Sequence, residues 1–227
     1  MTGTSRLLRS GCPMPSIGLG TFGSDRYDEK TVAEAVREGI RLGYRLIDCA
    51  AVYGNEASIG PILADAIRDG VPRSELFVVS KVWNDGHKPA DVLLSLAQTL
   101  KDLQLDYLDL FLIHWPFRNI HPRGAPPDFH DPSAKPYDHD DYMETWHQME
   151  RLQQAGLVRQ IGTSNMTIPK LERLIRDCRI MPAVNEMELH PTFQQPALFD
   201  FCLKHGIQPV GYSPLGSPSR PERDRTA

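Results

Sequence analysis

The sequence predicts an α/β barrel, in which parallel strands alternate with helices around a common core. Three observations lead there. Short apolar runs of strand length recur between amphipathic stretches of helical period, the alternation of repeated β/α units joined by right-handed crossovers. The strand-like runs end on polar side chains, and in such a barrel all strand carboxyl ends lie on one face, where those side chains converge. At 227 residues the chain suits one large domain, because α/β barrels of more than about 200 residues commonly stay undivided.

Arg6 to Met14, turning near Gly11, reads as a small amino-terminal hairpin. Ile17 to Leu19 is the first barrel strand, and Thr21 and Phe22 leave it at the site face. From Asp28 to Gly43, Val32, Val36 and Ile40 repeat every fourth residue, giving an amphipathic helix ended by glycine. Gly43 to Ile47 forms a second strand with Asp48 at its end. A helix runs from about Glu56 to Ile67, and the strand Leu76 to Ser80 stops at Lys81. The next helix opens on Pro89, whose missing N–H has no partner in a first turn anyway, and it turns Leu93, Leu96, Ala97, Leu100 and Leu103 inward.

The strand Leu108 to Ile113 stops at His114. Residues 115–140 then form a long proline-rich loop that overhangs the site face, as functional loops of this length often do. It carries His121, His130 and His139, without the tight spacing of metal ligands, and no metal is expected. Helices at about Asp140 to Ala155, Ile168 to Cys178 and Pro196 to His205 alternate with strands at Val158 to Thr163, Ala183 and Gln208. Thr167 can cap the middle helix, and Gly156 and Gly206 can close the outer two. That makes seven strands from Ile17, the last ending near Ser213, with residues 214–227 as a polar loop.

Hydrophobic residues at 41% and charged residues at 24% describe an ordinary globular protein. The longest apolar runs are strand-sized, too short to span a bilayer as a helix. An amino end lacking a signal-like apolar core makes the cytoplasm the default address. Cys12, Cys49, Cys178 and Cys202 have no CxxC spacing and read as free thiols that pack as small hydrophobes. A net charge of −4 gives no general attraction to nucleic acid.

Asp48, Tyr53, Lys81 and His114 would meet at the strand ends. A lysine ammonium beside Tyr53 favours the phenolate and pulls its pKa below the usual value of about 10. Asp48 would fix and neutralise Lys81, and a neutral His114 could orient a carbonyl. A plain structural salt bridge accounts for Lys81 and Asp48 too, and a histidine after an apolar strand is often a core residue. Phe22, Trp83, Trp115 and Phe117 suggest apolar pocket walls or lid packing. No GxGxxG follows a strand, so a Rossmann-type nucleotide site is not supported.

Ordered runs along the chain carry a family resemblance. They are Met14-Pro15-Ser16-Ile17-Gly18-Leu19-Gly20-Thr21, Gly43 through Glu56, Ser80-Lys81-Val82-Trp83, Leu105-Asp106-Tyr107-Leu108-Asp109 through His114-Trp115-Pro116, Gly156 through Asn165, Pro182-Ala183-Val184-Asn185-Glu186 through His190-Pro191, and Gly211 through Ser217. In this order they resemble an aldo-keto reductase. The resemblance implies a TIM-type (β/α)8 barrel, here stopping after strand seven, with the hairpin under it. It implies NADPH-dependent reduction of a small-molecule carbonyl, with Tyr53 as general acid and NADP as the oxidised cofactor. By the same resemblance Tyr212 stacks on the nicotinamide, and Ser164 and Asn165 bind its carboxamide. Thr21 and Glu186 border it, while Ser213, Leu215 and Ser217 follow the pyrophosphate.

Glu186 departs from the family's usual glutamine. An eighth strand, with the family's Lys-Ser and Arg positions for the adenosine phosphate, has no counterpart in these residues. A complete barrel would be monomeric; with the first and seventh strands unpaired, this chain is expected to be poorly stable or oligomeric and to hold NADPH weakly. The competing readings are a nucleotide-binding or regulatory protein with little turnover, and a hydrolytic metal enzyme, which the lack of a His/carboxylate cluster disfavours.

Overall fold

A computed structural model describes residues 4–23, 27–118 and 135–216. Ser217, His121 and His130 lie outside the described residues. Two short strands, β1 (Ser5–Leu7) and β2 (Pro13–Pro15), pair antiparallel with Arg6 opposite Met14, forming the expected hairpin. Seven strands follow in one parallel sheet, each bonded to the next in chain order. They are β3 (Gly18–Gly20), β4 (Leu46–Asp48), β5 (Phe77–Val82), β6 (Leu108–Ile113), β7 (Val158–Ser164), β8 (Val184–Glu188) and β9 (Gln208–Tyr212). The helices are α1 (Glu29–Arg41), α2 (Glu56–Arg68), α3 (Pro89–Leu103), α4 (His139–Gln154), α5 (Ile168–Asp177) and α6 (Pro196–Lys204). The architecture is a nearly closed barrel with helices outside it.

Because side chains alternate faces along a strand, the sheet makes two cores. The inner one gathers Leu46, Phe77, Val79, Leu110, Leu112 and Val184 with Leu8 and Met14, so the hairpin plugs the amino-terminal end of the lumen. The outer one sets Ile47, Val78, Phe111, Ile113, Ile161 and Met187 against Val36, Ile40, Ile59, Leu63, Leu96, Trp146 and Leu171 of the helices. Trp146 is fully buried, and its indole N–H donates to the Ile180 carbonyl at 3.1 Å, which removes the cost of hiding that donor.

Local chemistry sets most helix ends. Asp28 accepts from the Thr31 amide at 2.7 Å and caps α1. Gly156 and Gly206 follow α4 and α6 at φ 77° and 69°, a left-handed conformation that glycine adopts freely. Thr167 occupies the N-cap position of α5, but its side chain makes no capping bond there; Pro169 in the first turn leaves one fewer amide to satisfy.

The inward face of α3 differs from the expected one. Leu96 and Leu103 are buried, but Leu93 is 44% exposed and Ala97 faces outward, while Val92, Ser95 and Thr99 turn in. The helix is rotated toward a polar partner: the Thr99 hydroxyl donates at 2.8 Å to the buried carboxylate of Glu56. Two strands also run further than expected. β5 continues through Lys81 to Val82 and β7 takes in Ser164, so both residues stand inside regular strands.

β3 and β9 are the end strands of the sheet, each with one barrel neighbour among the described residues. Beside β3 runs an apolar groove of about 250 Å³ whose walls include Leu19, Phe22, Tyr27, Val32 and Val36. Among the described residues no helix is long and apolar enough to cross a membrane.

Candidate active site

The alternation that builds the inner core also builds the site. One step of two residues beyond Leu46, Val79, Leu112 and Val184 brings the lumen-facing position to Asp48, Lys81, His114 and Glu186. The lumen is apolar below and ionisable at its carboxyl-terminal end. Lys81 is wholly buried there; its Nζ lies 2.6 Å from Asp48 Oδ1, 3.2 Å from the Cys49 carbonyl and 3.4 Å from Glu186 Oε1. Burial opposes the ammonium, but Asp48, Glu186 and Tyr53 outweigh it and hold the Lys81 pKa well above its ordinary value.

Tyr53 ends a single 3-10 turn, Ala51–Tyr53, which Gly54 closes at φ 68°. The Lys81 ammonium lies 5.5 Å from the centre of its ring. Phe22 packs 5.1 Å from Tyr53, His114 stands edge-on at 5.8 Å, and Trp83 meets His114 at 5.1 Å. The expected net lowering of the Tyr53 pKa is corrected: burial pushes the phenol upward, and Lys81, acting in the expected direction, is opposed by Asp48 and Glu186. Tyr53 therefore holds its proton at neutral pH.

His114 is neutral there as well. Burial, then the charge of Lys81, then His87 depress its pKa well below the usual 6.5, and its Nδ1 has no hydrogen-bond partner among the described residues. Such an imidazole is a donor or acceptor without charge.

At the end of β7 the chain turns through Asn165, at φ 59°. Its amide nitrogen donates to the His114 carbonyl and to Ser164 Oγ, both at 3.0 Å, and its Oδ1 accepts from the Tyr212 hydroxyl at 2.8 Å. An amide oxygen has two acceptor positions, so one remains for an incoming N–H. Ser164, Asn165 and Tyr212 thus come together beside His114. Ser213 follows Tyr212 at φ 48°, and Leu215, 96% exposed, stands out in the turn beyond. Thr21 is buried, and its hydroxyl donates to the Asp48 carbonyl at 2.9 Å, which ties β3 to β4. Trp115 and Phe117 make a separate pair at 5.8 Å. Phe117 also borders a small cavity with His87, Arg118, Asp141 and Tyr142.

Two features escaped the sequence reading. Glu56, at the start of α2, is buried, accepts from Ser80 at 2.6 Å and from Thr99 at 2.8 Å, and has a pKa raised by burial against those two bonds. It anchors the segment after Tyr53 to β5 and α3. Asn55 assists by donating to the Thr21 carbonyl at 2.8 Å. Ser80 and Thr99 stand 24 and 43 positions from Glu56, so no local sequence pattern pointed to this contact. His87 is also buried, with its pKa pushed down to about 3 by burial and then by Arg118; isolated in the sequence, it gave no sign of lying near His114. Of the loop histidines, His139 pairs with Asp177 at 2.6 Å and with the Tyr137 hydroxyl at 2.8 Å.

The sequence model described as the Aldo/keto reductase family matches residues 16–227. Aldo-keto reductase family 1 member A1 of Rattus norvegicus is 43% identical over 227 residues, covering 97% of this chain and 67% of that protein. Aldo-keto reductase family 4 member C11 of Arabidopsis thaliana is 44% identical over 212 residues, covering 93% and 64%. A Bombyx mori aldo-keto reductase solved in complex with NADP superposes with a TM-score of 0.84 at 36% identity, over 97% of this chain and 71% of that one. For an aldo/keto reductase of Brucella melitensis the TM-score is 0.81 at 34% identity, over 97% and 76%. The chain spans about two thirds of the length of these curated relatives.

Proposed function

The chain belongs to the aldo/keto reductase family, and from that premise we propose that it reduces aldehydes or ketones to alcohols with NADPH, Tyr53 giving the proton. What supports this reading above all is the buried Lys81, held 2.6 Å from Asp48 beneath the half-buried phenol of Tyr53. A phenol that is fully protonated at rest yet faces an ammonium is a competent acid: it keeps its proton until the carbonyl oxygen develops charge, and Lys81 then stabilises the phenolate left behind. His114, neutral and beside Tyr53, orients the carbonyl oxygen. Phe22, Tyr53 and Trp83 surround that position with aromatic surface, which suits an apolar carbonyl compound.

The residues beyond His114 fit a nicotinamide. Ser164 and the unused acceptor position of Asn165 Oδ1 suit a carboxamide, and the Tyr212 ring, fixed through its hydroxyl to Asn165, suits stacking. When bound, NADPH supplies the hydride. Ser213 and Leu215 continue along the cofactor's course, whereas the hydroxyl of Thr21 already serves Asp48.

The test is a mixture of protein, NADPH and a broad panel of aldehydes and ketones, followed by nicotinamide absorbance. Turnover that disappears in Tyr53→Phe supports the reading. Cofactor binding with no turnover on any compound supports the non-enzymatic alternative instead.

Glu186 adds a further expectation. Its carboxylate, when ionised, puts negative charge near a ring that becomes positive on losing hydride, so the oxidised cofactor is bound more tightly, relative to the reduced one, than in Glu186→Gln. Dissociation constants for both forms in both proteins measure this. An unchanged ratio removes the effect.

A further inference from the structure

Lys81 has two carboxylates within ion-pair distance, and only one of them is needed to neutralise it. Asp48, on β4, is the nearer at 2.6 Å; Glu186, on β8 across the lumen, is at 3.4 Å. Glu186 is held there by its strand: β8 lies in register with β7 at Ser164 and with β9 at Val210, and its carbonyl accepts from the Asn165 amide at 2.8 Å. The side chain is 6% exposed, so water gives the second carboxylate little help.

We propose that Glu186 is a positioning residue for the proton-transfer step: ionised, it draws the Lys81 ammonium across the lumen away from Asp48 and Tyr53, and protonated, it leaves Lys81 to them. This rests on the function proposed above.

Among the described residues few charged or titratable groups share this layer with Glu186, and His114, at the end of β6, is neutral there. β4 and the turn after it bring Asp48 and Tyr53, and β5 brings Lys81. Ser164 and Val210, its register partners on β7 and β9, carry no charge. On β8 itself, Glu188 is 3.2 Å from His190. Three ionised groups would leave the layer with one uncompensated negative charge in a buried place, which favours uptake of one proton. Asp48 is the carboxylate closer to Lys81, and Glu186, the farther one, is the group that takes the proton. Its pKa is raised to about 7 by burial first and Asp48 second, against the opposing pull of Lys81.

The sign follows directly. Below neutrality Glu186 is neutral, Lys81 faces Asp48 and Tyr53 alone, and the phenolate left by proton donation is best stabilised. Above neutrality the Glu186 charge competes for Lys81 and repels that phenolate. Carbonyl reduction then falls with rising pH over the Glu186 titration, by up to about tenfold for each unit by which the Glu186 charge raises the Tyr53 pKa. Replacing Glu186 by Gln, which keeps the shape and removes the charge, abolishes that decline.

Two measurements test this, and the first needs neither cofactor nor turnover. Side-chain carboxyl NMR of the ¹³C-glutamate-labelled chain should show a carboxyl titrating near neutrality that is absent in Glu186→Gln and moved higher in Lys81→Met. If the Glu186 signal instead titrates with the exposed glutamates, or does not respond to Lys81→Met, the proposal is overturned. The second is the pH profile of kcat and KM for reduction. In wild type kcat should fall through neutrality with KM for the carbonyl compound nearly constant, and in Glu186→Gln kcat should stay level. The same limb in both proteins overturns the proposal. No turnover in wild type at any pH contradicts the reductase function itself, and the carboxyl titration then decides whether Glu186 is coupled to Lys81.

Discussion

Replacing Tyr53 by Phe lowers carbonyl turnover roughly 10²- to 10⁴-fold, the range typical of a lost general acid, with little change in stability or cofactor affinity. The ring contacts to Phe22 and His114 survive the substitution, because only the hydroxyl is removed. Lys81→Met costs a loss of the same order for a different reason. It leaves Asp48 and Glu186 facing one another in a buried layer with no cation, so one must take up a proton, and the Tyr53 phenolate loses the charge that stabilises it. The signature that separates the variants is pH: Lys81→Met shifts proton donation to higher pH, while Tyr53→Phe removes it at every pH. Stopped-flow traces with NADPH across neutral and alkaline pH measure both. A wild-type rate in either variant would exclude the residue replaced from the proton path.

How much of this was legible depended on whether a residue's role is local. Asp48, Lys81 and His114 could be placed because each stands at the end of an apolar run, and the two-residue alternation of a strand carries that position to the lumen whatever the rest of the chain does. Gly156 and Gly206 were readable because a helix end followed by a left-handed turn is written in one residue. The orientation of α3 was not. Leu93 and Leu96 fit a helical stripe equally well with their neighbours, and the rotation adopted buries Val92 with Leu96 and Leu103 while bringing Thr99 to Glu56, a partner 43 positions away. The sign of the Tyr53 shift was missed for a related reason: the spacing revealed an ammonium nearby, but not the number of protein groups displacing water, nor the second carboxylate of Glu186. Contacts across the lumen leave no periodic trace in a sequence.

Gly60→Ala destabilises the protein by about 3 kcal/mol or more, at the upper end of what overpacking costs. A Cβ built at Gly60 would lie 2.0 Å from the backbone oxygen of Asp102 and 3.0 Å from the carbonyl carbon of Leu103. Neither atom can swing away as the tip of a side chain can, so α2 and α3 must separate. For a domain of this size such a loss lowers the melting temperature by roughly 6–12 °C. The same substitution at Gly20, where an added Cβ meets nothing within 4 Å and φ is not positive, is the control and should melt near wild type. The consequence reaches the site, because Glu56 at the start of α2 holds Thr99 on α3 and Ser80 on β5, and Tyr53 stands three residues before it. Moving α2 off α3 strains that bridge, so Gly60→Ala should lose turnover even below its melting transition, with the loss appearing in kcat. Differential scanning fluorimetry and steady-state kinetics on the two glycine variants measure both effects. A Gly60→Ala protein that melts with wild type would mean that α2 and α3 have room to part, and that their close contact does not set the position of Tyr53.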